Sequence, residues 1–279
     1  MTAGTRPLST ADIRLVVCDI DGTLVRHDKS LSSGNIEAAK RLVATGTQMT
    51  LISARPMSGM QWIAEALHLD GPFGAFNGGT VFHRTNGVIG QPTRFTPELA
   101  LRILSILDAA QVDVWLFAHD RWYARDALNP HVPREKLSAG IDPTLRPDLE
   151  NLCDAVDKIV GVSDDAPLLK QLEATLLGAT RDEATVALSQ PYFLDATPLL
   201  ANKGDGVAAV AAAMGVPLQH VAVIGDMPND LPMFARAGLS IAMGQAPDSV
   251  RAAADWVTAS NEDDGVARAI ERLIRERTA

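Results

Sequence analysis

Short apolar runs alternate with segments of helical spacing through residues 13–81. "IRLVVCDI" reads as a buried strand. In "SGNIEAAKRLVATG", Ile36, Ala39, Leu42 and Val43 recur at helical spacing, and Gly46 sits where a helix C-cap belongs. "QMTLIS", "MSGMQWIAEALHL" and "PFGAFNGG" continue as strand, helix and a short strand running into a glycine turn. This alternation predicts βαβ units around a parallel sheet.

The order becomes irregular between residues 82 and 197. "TPELALRILSILDAAQ" is a helix with a Thr-x-Glu start, "VDVWLFA" a strand, and "RWYARDAL" a strand or a loop. "NPHVPREKLSAGIDPTLRPDLEN" reads as an excursion; "DKIVGV", a helix from "DAPLLKQLEATL", and the strands "ATVALSQ" and "YFLDAT" follow it. Regular alternation returns with the helix "NKGDGVAAVAAAMG" and the strand "HVAVIG". A helix after "DMPND", the strand "LSIAM", the helix "APDSVRAAA", the short strand "DWVT" and a helix from Gly265 complete it. The pattern predicts an α/β fold: a doubly wound, Rossmann-like parallel-sheet core over 1–81 and 198–279, with an α+β domain inserted at 82–197.

Composition narrows the partners. A net charge of −9 disfavours nucleic acid, whose phosphates demand a basic face. No apolar run approaches the roughly 18 residues of a membrane span, and "MTAGTRPLSTADIR" lacks the apolar centre of a signal peptide and reads as an N-terminal extension. Cys18 and Cys153 form neither a zinc spacing nor a disulfide framework, which suits the cytoplasm.

The chemistry gathers where strands end. Asp19-Ile20-Asp21-Gly22-Thr23 closes the first run, Ser53-Ala54-Arg55 the second, and "VAVIGDMPND" brings Asp226 and Asp230. Parallel neighbours would collect these carboxylates on one sheet edge, where open α/β folds bind ligands. Such a cluster needs a cation, and an all-oxygen donor set favours Mg²⁺. Lys203 opens a helix and Ser53 ends a strand; with backbone N–H groups they could hold a phosphate beside the metal.

These residues resemble the haloacid dehalogenase superfamily, in particular its Cof-type phosphatases with a large cap. The signature Asp-x-Asp-Gly-Thr is residues 19–23, the Ser/Thr motif is Ser53 with Arg55 after it, the lysine motif is Lys203, and the acidic motif is Gly225-Asp226-Met227-Pro228-Asn229-Asp230. "FNGG" at 76–79 and "AGLSIAMGQAPDSVRAAADWVT" also match. The resemblance implies that Asp19 attacks phosphorus to form an aspartyl phosphate, and that Asp21 serves as acid and then base. It implies Mg²⁺ on Asp19, the Asp21 carbonyl and Asp226, with Asp230 acting directly or from behind. Ser53, Lys203 and Asn229 are expected on phosphate oxygens, and Arg55, Asn77 and Gly78 are further candidates for phosphate or substrate contact. Relatives usually carry Gly where this chain has Ala54.

Plainer roles exist for several of these residues. Asp230 could be a cap supporting Asp226, and Asn77-Gly78-Gly79 only a tight turn. Arg121, Arg125, His131, Arg134 and Lys136 suit a solvated face, with Arg125 or a neighbour reaching an anionic substrate as the alternative. Trp115, Phe117, Trp122 and Tyr123 suit packing, although Trp122 or Tyr123 could line the substrate pocket.

The function implied is a Mg²⁺-dependent phosphatase of small phosphorylated metabolites, sugar phosphates above all, acting as a monomer or homodimer without nucleic acid or membrane partners. A phosphomutase or phosphotransferase is the enzymatic alternative. A phospho-accepting signalling module is the non-enzymatic one, disfavoured by the long insertion and by an acid that would shorten the life of the acyl phosphate.

Overall fold

A computed structural model describes residues 12–278; the N-terminal extension expected at the start of the chain lies almost wholly outside them. The first segment holds strands β1 (Leu15–Cys18), β2 (Gln48–Leu51), β3 (Phe73–Ala75), β4 (Thr80–His83) and β5 (Gly87–Ile89), with helices α1 (Ser33–Ala44) and α2 (Met57–Ala66). The middle segment holds α3 (Pro97–Ala109), β6 (Asp113–Ala118), β7 (Arg121–Ala124), α4 (Val132–Ala139), β8 (Thr144–Leu145), β9 (Val156–Val162), α5 (Ala166–Thr180), β10 (Ala184–Gln190) and β11 (Phe193–Pro198). The last segment holds α6 (Lys203–Ala213), β12 (Val221–Gly225), α7 (Leu231–Phe234), β13 (Leu239–Ala242), α8 (Asp248–Ala253), β14 (Trp256–Val257) and α9 (Gly265–Thr278).

The core is a parallel sheet in the order β14-β13-β12-β1-β2. β1 and β12 are both buried throughout and lie side by side in register, Cys18 opposite Ile224. Chain order reverses here, since β1 leads outward to β2 while the returning chain enters on its other side. That switch point opens a crevice at the carboxyl ends of the two strands. Alternation along β1 divides its burial: Leu15 and Val17 pack with Val207, Ala211, Met233 and Val250, whereas Val16 and Cys18 pack with Ala38, Leu42, Ile63 and Ile270.

Helix α1 shows how the layers lock. Ser32 caps it by accepting from the Asn35 N–H at 3.1 Å, a contact worth about 1 kcal/mol. Asn35, Ala38, Ala39 and Leu42 form its buried face, and Val43 is 47% exposed, one arc away from the expected stripe. The Asn35 side chain donates to the Leu24 carbonyl at 2.9 Å and accepts from the Ala267 N–H at 2.9 Å. It therefore ties α1 to the loop after β1 and to α9 together.

A second sheet, β10-β11-β9-β6-β7-β8, is antiparallel apart from its β7–β8 edge. One face is covered by α3 and α5 through Leu104, Leu107, Leu169 and Leu176. The other, bearing Trp115, Phe117, Trp122 and Phe193, packs with Phe73, Phe76 and Met60 of the first segment. Trp122 and Tyr123 thus point to opposite faces. The expected excursion from residue 129 contains α4, which Ser58 of α2 fastens by donating to the Ala139 carbonyl at 2.6 Å. Among the described residues no helix is long and apolar enough to cross a membrane.

Candidate active site

Asp19 follows β1 directly, its N–H donating to the Ile224 carbonyl of β12 at 2.9 Å. The sheet therefore sets its position. Asp226 follows β12 in the same way, on the other side of the switch point. Gly22 makes the turn between them possible: its φ is +78°, and a Cβ there would lie 2.3 Å from Asp226 Oδ2. Thr23 then reaches back to donate to Asp226 Oδ1 at 3.2 Å. Gln245 donates to the Gly22 carbonyl at 2.6 Å and so braces the same turn.

Lys203 binds the carboxylates together. Its ammonium donates to Asp19 Oδ1 at 2.5 Å and to Asp230 Oδ1 at 2.6 Å, and all three side chains are at least 95% buried. A cation in the first turn of a helix opposes the helix dipole; two carboxylates offset that here. Asn202 caps the same helix by accepting from the Asp205 N–H at 3.0 Å. Asp230 uses its other oxygen to accept from the Asp226 and Met227 N–H groups at 2.8 and 2.9 Å. It thus shapes the Asp226 loop and anchors Lys203 at once.

One oxygen from each of Asp19, Asp226 and Asp230 lies within 4.8 Å of the others. A single ammonium leaves these carboxylates short of positive charge. Burial, relieved in part by Lys203 and reinforced by repulsion from Asp230, pushes Asp19 up to about 6. Burial with repulsion from Asp19 and Asp230 pushes Asp226 up to about 8, and burial is outweighed at Lys203, which both carboxylates hold charged. A buried all-oxygen set with excess negative charge fits a hard divalent cation.

Asp21 turns away from this triad. Arg55 grips it through Nε and Nη2 at 2.6 and 2.7 Å, and Lys29 donates to it at 2.6 Å. Burial works to raise its pKa, but Arg55 and Lys29 outweigh it and hold the carboxyl well below the usual range. Arg55 is itself buried and fixed by donating to the Gly59 carbonyl at 3.0 Å.

The Ser53 hydroxyl accepts from the Arg55 N–H at 3.2 Å, and its carbonyl accepts from the Asn77 N–H at 2.7 Å. Asn77 has φ +58°, and Gly78 follows at +93°. A Cβ on Gly78 would fall 2.2 Å from Gly206 Cα, so α6 presses its first turn against this loop. Asn229 is exposed beside it, donating to Asn77 Oδ1 at 3.5 Å.

Other candidates lie elsewhere. Arg125 pairs with Asp108 at 2.7 Å, and His131 stacks on Tyr192 with its ring centroid 3.8 Å away. Lys136 pairs with Asp142. Sequence reasoning assigned no role to Lys29, Thr23 or Gln245. Their only sequence signal is proximity to a motif, for Thr23 within "DGT" and for Gln245 within "AMGQAP".

A family model for haloacid dehalogenase-like hydrolases matches residues 16–270. Two Bacillus subtilis proteins named 5-amino-6-(5-phospho-D-ribitylamino)uracil phosphatase, YitU and YwtE, are 27% and 28% identical to this chain. The alignments cover 91% and 94% of it and 95% and 98% of theirs. A haloacid dehalogenase-like hydrolase from Bacteroides thetaiotaomicron has a crystal structure that matches with a TM-score of 0.84 at 29% identity, over 94% of this chain and 99% of that one. The chain belongs to the haloacid dehalogenase-like hydrolase family, and it is an enzyme of the hydrolase class.

Proposed function

We propose that this hydrolase is a Mg²⁺-dependent phosphatase that cleaves small phosphorylated metabolites, sugar or polyol phosphates above all, through an aspartyl phosphate on Asp19. The observation that carries the reading is the Lys203 ammonium shared between Asp19 and Asp230, with Asp226 beside them at the switch point. Relatives named as phosphatases of a phosphoribityl compound support the substrate class.

Lys203 holds one of the two Asp19 oxygens and fixes the carboxylate plane, so the nucleophile needs no reorientation. Attack forms the Asp19 oxygen–phosphorus bond as the ester oxygen departs with the bonding pair. Asp21, held ionised by Arg55 and Lys29, is ready to take a proton from the water that then attacks phosphorus. Its service as acid in the first step requires a proton and a looser hold by those two cations. Asp19, Asp226 and Asp230 would hold Mg²⁺, which when bound neutralises phosphoryl charge. Ser53, Asn77 and the turn at Gly78 border the same mouth and would hold phosphate oxygens, with Asn229 at its rim. The middle sheet then forms a cap over residues 82–197 that excludes water and selects the leaving group. Buried, unpaired Cys18 and Cys153 suit a cytoplasmic enzyme.

Phosphate release over a panel of phosphate esters tests the reading. The expected result is stoichiometric inorganic phosphate in Mg²⁺, lost in EDTA and restored by Mg²⁺. Full turnover in chelator, or phosphoryl transfer to another hydroxyl in place of release, contradicts it.

A further inference from the structure

The face of the second sheet that is turned toward the core is mostly aromatic, but it also carries charge. Directly opposed residues of neighbouring strands share a face. Phe117 opposes Lys158, while Trp115 opposes Val160, which in turn opposes Asp195. Lys158 and Asp195 therefore stand among the rings that meet the core. Lys158 Nζ lies 2.6 Å from Asp195 Oδ2 and 5.8 Å from the centre of the Phe117 ring. The Phe117 ring is in turn 6.0 Å from Phe76, the residue before Asn77 in the loop beside Ser53.

The pair is buried, with 11% of the Lys158 side chain and 12% of the Asp195 side chain exposed. An ion pair in an apolar layer pays for desolvation that a hydrophobic pair would avoid. Among the described residues, moreover, Asp195 Oδ1 is buried without a hydrogen-bond partner, as is Trp122 Nε1 on the same face. A buried acceptor left unpaired is costly, and a native fold retains one where something else completes it.

Glu135 of α4 feels the charges of this pair. Burial raises it to about 7, Lys158 pulls it down, and Asp195 and Asp21 push it up, with Arg55 acting against them. Asp21 also bears on Lys158. The cluster is thus within electrostatic reach of Asp21 and Arg55 in the catalytic mouth.

Resting on the phosphatase reading, we infer that Asp195 Oδ1, steadied by Lys158 on its other oxygen, accepts a hydrogen bond from a hydroxyl of the leaving group. The cap thereby selects an uncharged polyol chain. Carboxylates ask for donors, which hydroxyls supply. A second phosphate would meet a carboxylate and a lysine already engaged. An alkyl chain would leave Asp195 as unsatisfied as before.

Steady-state kinetics of Asp195→Asn tests this, with D-ribitol 5-phosphate as polyol ester, butyl phosphate as its hydroxyl-free counterpart, and p-nitrophenyl phosphate as reference. The parent enzyme should prefer the ribitol ester to butyl phosphate. The substitution should reduce that preference about tenfold or more, mainly through KM for the ribitol ester. The apolar pair Lys158→Met with Asp195→Leu, which fills the same space, should abolish the preference too, and serves if the single variant does not fold. A preference unchanged in both variants, or kcat/KM lowered in equal proportion for all three esters, overturns the assignment alone. A parent enzyme inert on every ester overturns the phosphatase reading itself.

Discussion

Arg55 holds both carboxylate oxygens of Asp21, with Nε 2.6 Å from Oδ2 and Nη2 2.7 Å from Oδ1. Bidentate geometry of this kind favours the charged form strongly. At neutral pH Asp21 is therefore a base and not an acid, unless the clamp loosens. Arg55→Gln removes one of its two cations and leaves Lys29. At saturating Mg²⁺, which keeps Asp19 ionised, the acidic limb of the kcat profile with p-nitrophenyl phosphate, whose leaving group needs no proton, should move up by about one to two pH units. A limb that stays in place means Asp21 is not the base.

The charge deficit of the acidic triad fixes a pH dependence for the cation. Asp19 and Asp226 sit at about 6 and about 8 without one, so binding must expel protons. Magnesium affinity measured by calorimetry should rise between about pH 5.5 and pH 8, with proton release detectable from buffers of different ionisation heat. The ion-free protein moves the other way. Raised carboxyl pKa values mean the folded state binds more protons than the unfolded one in this window, so stability falls as pH rises toward about 8. Thermal stabilisation by Mg²⁺ should therefore be larger at the upper end, and a pH-independent gain contradicts this.

Lys203→Met leaves Asp19 and Asp230 buried side by side without their shared donor. Removing one member of a buried ion pair costs about 3–5 kcal/mol, less whatever proton uptake by the acids recovers. Denaturant titration should show the loss at pH 8 and a smaller one at pH 5. Turnover should fall by roughly a thousandfold or more, as for removal of a principal electrostatic group. A fully active Lys203→Met enzyme would place the phosphate elsewhere.

Gly22→Ala puts a methyl group 2.3 Å from Asp226 Oδ2, at a φ of +78°. The left-handed conformation alone costs about 1–2 kcal/mol. The larger effect should be displacement of Asp226, seen as magnesium affinity weakened by about tenfold or more. Unchanged affinity would mean that Asp226 does not hold the ion.

The sequence leads directly to the residues at strand ends. Asp19, Ser53 and Asp226 each close an apolar run, and parallel pairing brings such ends to one edge regardless of what lies between. Lys203 and Asp230 are legible through their motifs, but the hydrogen bond between them is not, because Lys203 opens a helix whose orientation the tertiary packing decides. Val43 shows the limit for helices: its spacing fits the apolar stripe, yet α9 covers the neighbouring arc by way of Asn35. Helix α4 is hidden by its prolines and charges, and is held by contact with α2, distant in the chain. Lys158 and Asp195 are hidden for a third reason. Lys158 in "DKIVGV" and Asp195 in "YFLDAT" become partners only through antiparallel register between β9 and β11.

The most direct measurement is a rapid quench of steady-state turnover with borohydride, which reduces an acyl phosphate to the alcohol, followed by peptide mass spectrometry. Asp19 as nucleophile predicts conversion of residue 19 to homoserine, absent without substrate and absent in Asp19→Asn. Conversion of another carboxylate, or continued hydrolysis by the Asp19→Asn enzyme, would contradict it.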